Sequence, residues 1–188
     1  MYRKKATPSE IEIYRRLGKH GNIAELLEVK NGEIHLKKYH VNLYDAVIQN
    51  IVSDIKQVLQ DVSNGIKHMH KCGIAHNDLS PYNIMLDDDN GKWVIIDFDS
   101  ASLFGTSQHK PGLSPWCKYS PTSEPDNDLY SISKLALFLA LGPSALDSFY
   151  GVVGKWCDKG EGVQMPDWYK DMIKHNHTLW TQYDWSKR

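Results

Sequence analysis

Arginine is nearly missing from this chain. It occurs only at positions 3, 15, 16 and 188, so between Leu17 and Lys187 no guanidinium is available for bidentate recognition of an anion. Cysteine is scarce too. Cys72, Cys117 and Cys157 are odd in number and far apart, which argues against a disulfide framework or a CxxC metal knuckle. Such usage suits a reducing compartment, cytoplasmic or nuclear. The opening MYRKKATPSE has no apolar run behind its basic residues, and no stretch approaches the length of a membrane span, so neither a secretory leader nor a membrane partner is expected. A formal net charge of -1 speaks against a broadly basic nucleic-acid binder. The phosphate-cradling pattern GxGxxG occurs nowhere.

What is present is ordinary globular composition, 41% hydrophobic and 24% charged, without repeats, low-complexity tracts or linkers. One domain over residues 1–188 is the expectation. Thr7-Pro8-Ser9-Glu10 reads as a helix start, with a Thr cap, Pro at the first helical position and Glu three residues after the cap, opening a helix to about Leu17. Asn31-Gly32 between two short apolar runs is a hairpin signal. Asn50 to Lys71 is the clearest helix, with Ile51, Ile55, Val58, Leu59, Val62, Ile66 and Met69 on one face and Gly73 after its end. Residues 74–99 alternate short apolar runs with turns, 100–127 read as a long loop, and DLYSISKLALFLAL from Asp128 to Leu141 is a second apolar helix. The tail, with Trp156, Trp168, Trp180 and Trp185, reads as short helices packed by aromatics.

The most informative stretch is GIAHNDLSPYNI at 73–84, followed by WVIIDFDSA at 93–101. Asp78 and Asn83 lie five apart, and Asp97 follows Asp78 by nineteen on an apolar run. Asp and Asn favour turns everywhere, so each alone has a bland reading. Together, HNDLSPYN and IIDFD resemble the protein-kinase-like family, whose pattern is H-R-D-L-x-x-x-N followed by D-F-G. The resemblance extends over about residues 7–141, and its variant character is similar to fungal kinase-like proteins. EIEIYRRLGKHGNI resembles the family's N-lobe αC helix and the strand after it, and EIHLKKYHVNLYDAV its hinge strand. DLYSISKLALFL resembles the helix that anchors the C-lobe, whose leading Asp, here Asp128, holds the catalytic-loop backbone. Tyr14, His76 and Phe98 fall where the family stacks its hydrophobic spine.

The resemblance implies an α+β protein-kinase-like fold, with a mostly helical C-lobe over 41–188 and a reduced N-lobe over 1–40 that lacks the Gly-rich loop. It implies ATP and Mg2+ as cofactors, Asp78 as the catalytic base, and Asn83 and Asp97 as metal ligands. For the phosphate-binding lysine, Lys4 or Lys5 would serve if YRKKA forms a remnant strand, and Lys5 with Glu10 is taken as the nucleotide-binding pair. Glu10 also sits at the capping-box position, where its carboxylate could reach back to the Thr7 amide instead. Glu12, Lys37 and Lys38 are fallbacks that also read as solvated or structural.

Several positions depart from the family pattern. Asn77 replaces the Arg of the catalytic motif, which removes a cationic dock for a phosphorylated activation loop. Ser80 replaces the Lys of most Ser/Thr kinases, a feature shared with aminoglycoside and choline phosphotransferases. Asp99 stands where the D-F-G glycine belongs, and KYSPTSEP carries Pro121 and Glu124 without the usual A-P-E. His68, His70 and His76 lack companions at metal-ligand spacing, and the Asp87–Asn90 run reads as a solvated hairpin turn. The functional expectation is a weak or atypical phosphotransferase of protein Ser/Thr kinase type. The alternatives are a pseudokinase that binds a partner kinase or other protein, and a small-molecule kinase.

Overall fold

The structure is a computed structural model that describes residues 1–108, 116–117 and 120–142. All of them fall in one compact unit, Met1–Gly142, the first of two into which the chain divides. The expectations for the Trp-rich tail, and for a single domain reaching Arg188, concern residues outside those described.

The unit begins with a three-stranded antiparallel sheet. Strand β1 (Tyr2–Lys5) pairs with β3 (Glu33–Leu36), which pairs in turn with β2 (Leu26–Lys30), in the order β1-β3-β2. The β2–β3 hairpin turns at Asn31 and Gly32, with φ of 52° and 75°. A two-residue hairpin turn whose twist matches its strands needs positive φ at both positions, which is why Asn-Gly marks it. Between β1 and β2 lies helix α1 (Pro8–Leu17), with the boundaries the sequence signals predict. Thr7 Oγ1 accepts from Glu10 N at 3.1 Å and Gly18 closes the helix at φ 60°. Glu10, Ile13, Tyr14 and Leu17 form its buried face.

Helix α2 (Leu43–Ile48) was not anticipated. Asn42 caps it, its Oδ1 accepting from Asp45 N at 2.8 Å. Its presence also moves the next helix. The predicted start at Asn50 is corrected to Ile55, so that α3 runs Ile55–Lys71 behind an Asp54 cap. Asn50 adopts φ 54° and Ile51 N donates back to Ala46 O at 2.8 Å, ending α2 rather than opening α3. Ile51 is accordingly exposed, while Val58, Val62, Ile66 and Met69 are buried as the periodicity requires.

Two short ladders follow. Strand β4 (Ile74–Ala75) pairs with β7 (Ser102–Leu103), and β5 (Ile84–Asp87) pairs with β6 (Lys92–Ile95). The presumed loop over 100–127 therefore contains a strand. Helix α4 (Pro125–Leu141) starts three residues before Asp128, with Pro at its first turn. Ile132, Leu135, Ala136, Leu137, Phe138 and Leu139 are all buried, the mark of a helix enclosed on most sides. Helix α3 packs on both β6 and α4. The architecture is α+β, with helices following a small sheet.

Gly65 of α3 lies at the tightest of these crossings. A Cβ there would sit 2.7 Å from Ile95 Cδ1 and 2.8 Å from the carbonyl oxygen of Asn22. Gly65→Ala should therefore destabilise the fold by about 1–3 kcal/mol in urea unfolding, although alanine is the better helix former. A stabilised variant would mean that the crossing is loose.

Candidate active site

The loop between β4 and β5 is held from below by a single carboxylate. Asp128, fully buried in the first turn of α4, accepts from His76 N and Asn77 N, each at 2.9 Å, and from His70 Nε2 at 2.8 Å. Two backbone N–H groups of an irregular loop thereby find the acceptors that burial demands. His76 extends the tie. Its Nε2 donates to Ile96 O at 3.0 Å and its Nδ1 accepts from Asp78 N at 3.2 Å. The imidazole thus links the loop that carries Asp78 to the end of β6, just before Asp97.

Asp78 and Asn83 meet directly. Asn83 Nδ2 donates to Asp78 O at 2.8 Å and to Asp78 Oδ2 at 3.2 Å, leaving its carbonyl Oδ1 as the ligand atom. A 3-10 turn at Pro81–Asn83 supplies the bend between them. Ile96 N donates to Asn83 O at 3.0 Å, so Asp97 emerges alongside. Asp97 adopts φ 63°, a left-handed conformation that costs a non-glycine residue energy and is held here by its surroundings. Phe98, fully buried, is part of that hold. Its ring meets Tyr14 edge-on at 4.7 Å and His76 at 5.6 Å between centroids, so the three spine residues stack.

From the sheet side comes a lysine, and it is Lys4 rather than Lys5. Lys4 Nζ lies 2.8 Å from Glu10 Oε1 and 2.5 Å from Asp97 Oδ1. Side chains alternate along a strand, so Lys4 shares the inward face with Tyr2, and Lys5 is exposed on the other. The Thr7 cap uses only the backbone of Glu10, which frees its carboxylate for the ion pair. Burial opposes the charge on Lys4, but its bonds to Asp97 and Glu10 outweigh that and hold its pKa above the ordinary value. Burial pushes the Glu10 carboxyl up against the pull of Lys4.

Lys4 and Asp97 border a cavity of about 370 Å3. Ala24, Leu36, Met85 and Ile96 line its apolar wall, and Lys4 and Asp97 its polar end. The arrangement fits a flat apolar ring system attached to an anionic tail. The Asp97 carboxylate and the Asn83 amide oxygen are hard donors of the kind that suit Mg2+, which takes one or two protein ligands and completes its shell with phosphate and water. Among the described residues there is no group of three or more His, Cys, Asp or Glu able to hold a metal by themselves.

Of the fallback residues, Lys37 and Glu12 are engaged in ion pairs, and Lys37 also borders the cavity. Lys37 Nζ lies 2.6 Å from both Asp87 Oδ1 and Asp89 Oδ2, so the acidic turn anchors the segment after β3. Glu12 pairs with Arg16 in solvent, and Lys38 borders the cavity. Asp99 does not fall among the residues with positive φ, so the backbone tolerates it where the pattern has glycine. Three features escaped sequence reasoning. Cys117 Sγ donates to Asp78 Oδ1 at 3.6 Å, and burial, then the Asp78 charge, push this thiol up to about 12. The buried hydroxyls of Ser80 and Tyr14 have no protein partner among the described residues. Asn127 joins Asn77, and only its place beside Asp128 could have hinted at it.

Comparison with known proteins agrees with this geometry. The family model for the protein kinase domain matches residues 1–121. A probable myosin light chain kinase of Dictyostelium discoideum is 30% identical over 112 residues, covering 53% of this chain and 35% of that protein. A second from the same organism is 26% identical over 182 residues, 85% of this chain and 45% of its own length. Human serine/threonine-protein kinase H1 is 34% identical over 106 residues, 50% of this chain and 24% of that protein. The chain thus spans less than half the length of these curated relatives.

Asp128→Ala would strand two buried backbone N–H groups and His70 together. A loss of about 3–5 kcal/mol in chemical unfolding is expected, as for removing one partner of a buried charged network. A loss below about 1 kcal/mol, the scale of one ordinary hydrogen bond, would show that the loop is held by other means.

Proposed function

This chain belongs to the protein kinase family, and on that footing we propose that it transfers the terminal phosphoryl group of ATP to a Ser or Thr hydroxyl of a protein. The observation that supports the reading is the meeting of Lys4 with Glu10 and Asp97 at a cavity that Lys4 and Asp97 line, together with the direct contact of Asn83 with Asp78. Asp78 orients the acceptor hydroxyl and takes its proton. Lys4, steadied by Glu10, faces the phosphates. Asp97 and Asn83 would hold Mg2+, which neutralises charge on the phosphate oxygens. Nothing covalent is asked of the protein, so rate depends on positioning and on preorganised charge. Ser80 stands where the family pattern has a lysine that would touch the transferring group, which supports slow turnover.

A second reading is a kinase mimic that binds a partner protein, such as a complete kinase. It is favoured by the direct contact of Lys4 with Asp97, which neutralises the metal-binding carboxylate internally. The third, a small-molecule kinase, draws on Ser80.

A thermal-shift titration with ATP and Mg2+ separates them. Binding at a hundredfold excess over Kd should add about 2.7 kcal/mol of apparent stability by mass action. The magnesium-dependent shift should vanish in Asp97→Asn and fall strongly in Lys4→Met, yet persist in Lys5→Met. Asp78→Ala should keep the shift and lose transfer of labelled phosphate to a peptide. No shift at saturating nucleotide would favour the mimic, and transfer to aminoglycoside or choline but not to peptide would favour the small-molecule kinase.

A further inference from the structure

Asn77 is a heavily bonded side chain among the described residues, and the proposed reaction gives it no role. It is buried, and its backbone adopts φ 65°, a left-handed conformation that Asn enters more readily than most residues. Its amide Nδ2 faces Ser102 Oγ and Ser123 Oγ, each at 3.0 Å, and Ser100 O at 3.1 Å. Its Oδ1 accepts from Gln108 Nε2 at 3.0 Å and Asn127 Nδ2 at 3.1 Å. The orientation of the amide is not ambiguous. A carbonyl acceptor lies on the nitrogen side, and Asn127 Nδ2 is fixed as a donor because it also donates to Thr122 O at 2.9 Å.

These partners come from both arms of the segment that follows Asp97, one at 100–108 and the other at 122–127. The arms also pair through their backbones. Gly105 N donates to Ser123 O at 2.9 Å, Ser123 N to Thr106 O at 2.8 Å and Gln108 N to Pro121 O at 3.0 Å. Asn77 N is itself held by Asp128, and Asp78 follows it directly. One neutral amide therefore links the residue before Asp78 to both arms, and each of its partners is uncharged.

The geometry points to Asn77 as a positioning residue, a built-in pin that holds the two arms, 100–108 and 122–127, to the Asp78 loop without any phosphate on them. A charged side chain here would need a counter-charge to offset its desolvation, and a phosphate could supply one. The amide is satisfied by serines, a glutamine and an asparagine already in place. The consequence for Asp78 rests on the phosphotransferase reading, whereas the pinning of the two arms does not.

Hydrogen exchange on the full chain tests the pin without nucleotide. In protein treated with phosphatase and verified by mass as unphosphorylated, the amides of Gly105, Gln108 and Ser123 should remain protected. Asn77→Ala should speed their exchange roughly ten- to a hundredfold, the scale of one or two lost buried hydrogen bonds. Ile95 and Ile96, bonded to Asn22 O and Asn83 O, should not change. Asn77→Asp, nearly isosteric but lacking the donor, should release the same amides, and Gln108→Ala, which removes a peripheral partner, should release Gln108 most. These two decide the matter if the alanine variant fails to fold. Protection lost on phosphatase treatment, or kept in Asn77→Asp, would overturn the pin. Should ATP give no thermal shift while these variants still free the arms, the transferase reading falls and the pin stands.

Discussion

The carboxylate of Asp128 sits at the first turn of α4 with no exposed surface, and three donors converge on it. Two are consecutive backbone N–H groups of a loop too irregular to satisfy itself, and the third is a buried histidine. A charge so placed is stable only while all three remain, and the loop keeps its shape only while the charge remains. The positions of Asp78, Asn83 and Asn77 follow from that mutual dependence. So does the link to β6, because His76 is held by its own N–H while its ring reaches Ile96 O and Asp78 N.

Above this anchor the site is built in two halves. One is local, with Asp78 and Asn83 joined across a 3-10 turn. The other is long-range. Lys4 and Asp97 stand ninety-three residues apart in sequence, yet are in contact. They meet because β1 joins the sheet in a register that puts Lys4 opposite Ile34, while α1 brings Glu10 beneath it. Tyr14 and Phe98 pack between the halves, so the same helix that carries Glu10 also braces the residue after Asp97.

Much of this could be read in the linear chain, and the failures have identifiable causes. The boundaries of α1 follow from a Thr cap, a Pro and a Gly, signals that act within a few residues and seldom depend on context. The Asn-Gly hairpin is equally local. The start of α3 was misplaced because Ile51 continues its apolar stripe by chance, and the stripe is silent about an Asn at positive φ. Helix α2 is too short for periodicity to reveal. The pairing of Lys5 with Glu10 follows alignment to the family pattern, which does not separate two neighbouring lysines, whereas the parity of a strand decides which of them faces inward. Cys117 beside Asp78 had no local signal at all.

The resemblance of HNDLSPYN and IIDFD to the family pattern pointed to the family, the α+β fold and Asp78, Asn83 and Asp97 as the polar groups of interest, while turn chemistry and helical periodicity, encoded over short distances, placed the local elements. Tertiary structure decided which lysine meets Glu10, that the Glu10 carboxylate serves an ion pair rather than a cap, and that Asn77 is a hub instead of a gap in a motif. Each of those outcomes depends on which way a side chain faces and what lies across from it. Such information exists only after distant segments have been brought into register and buried.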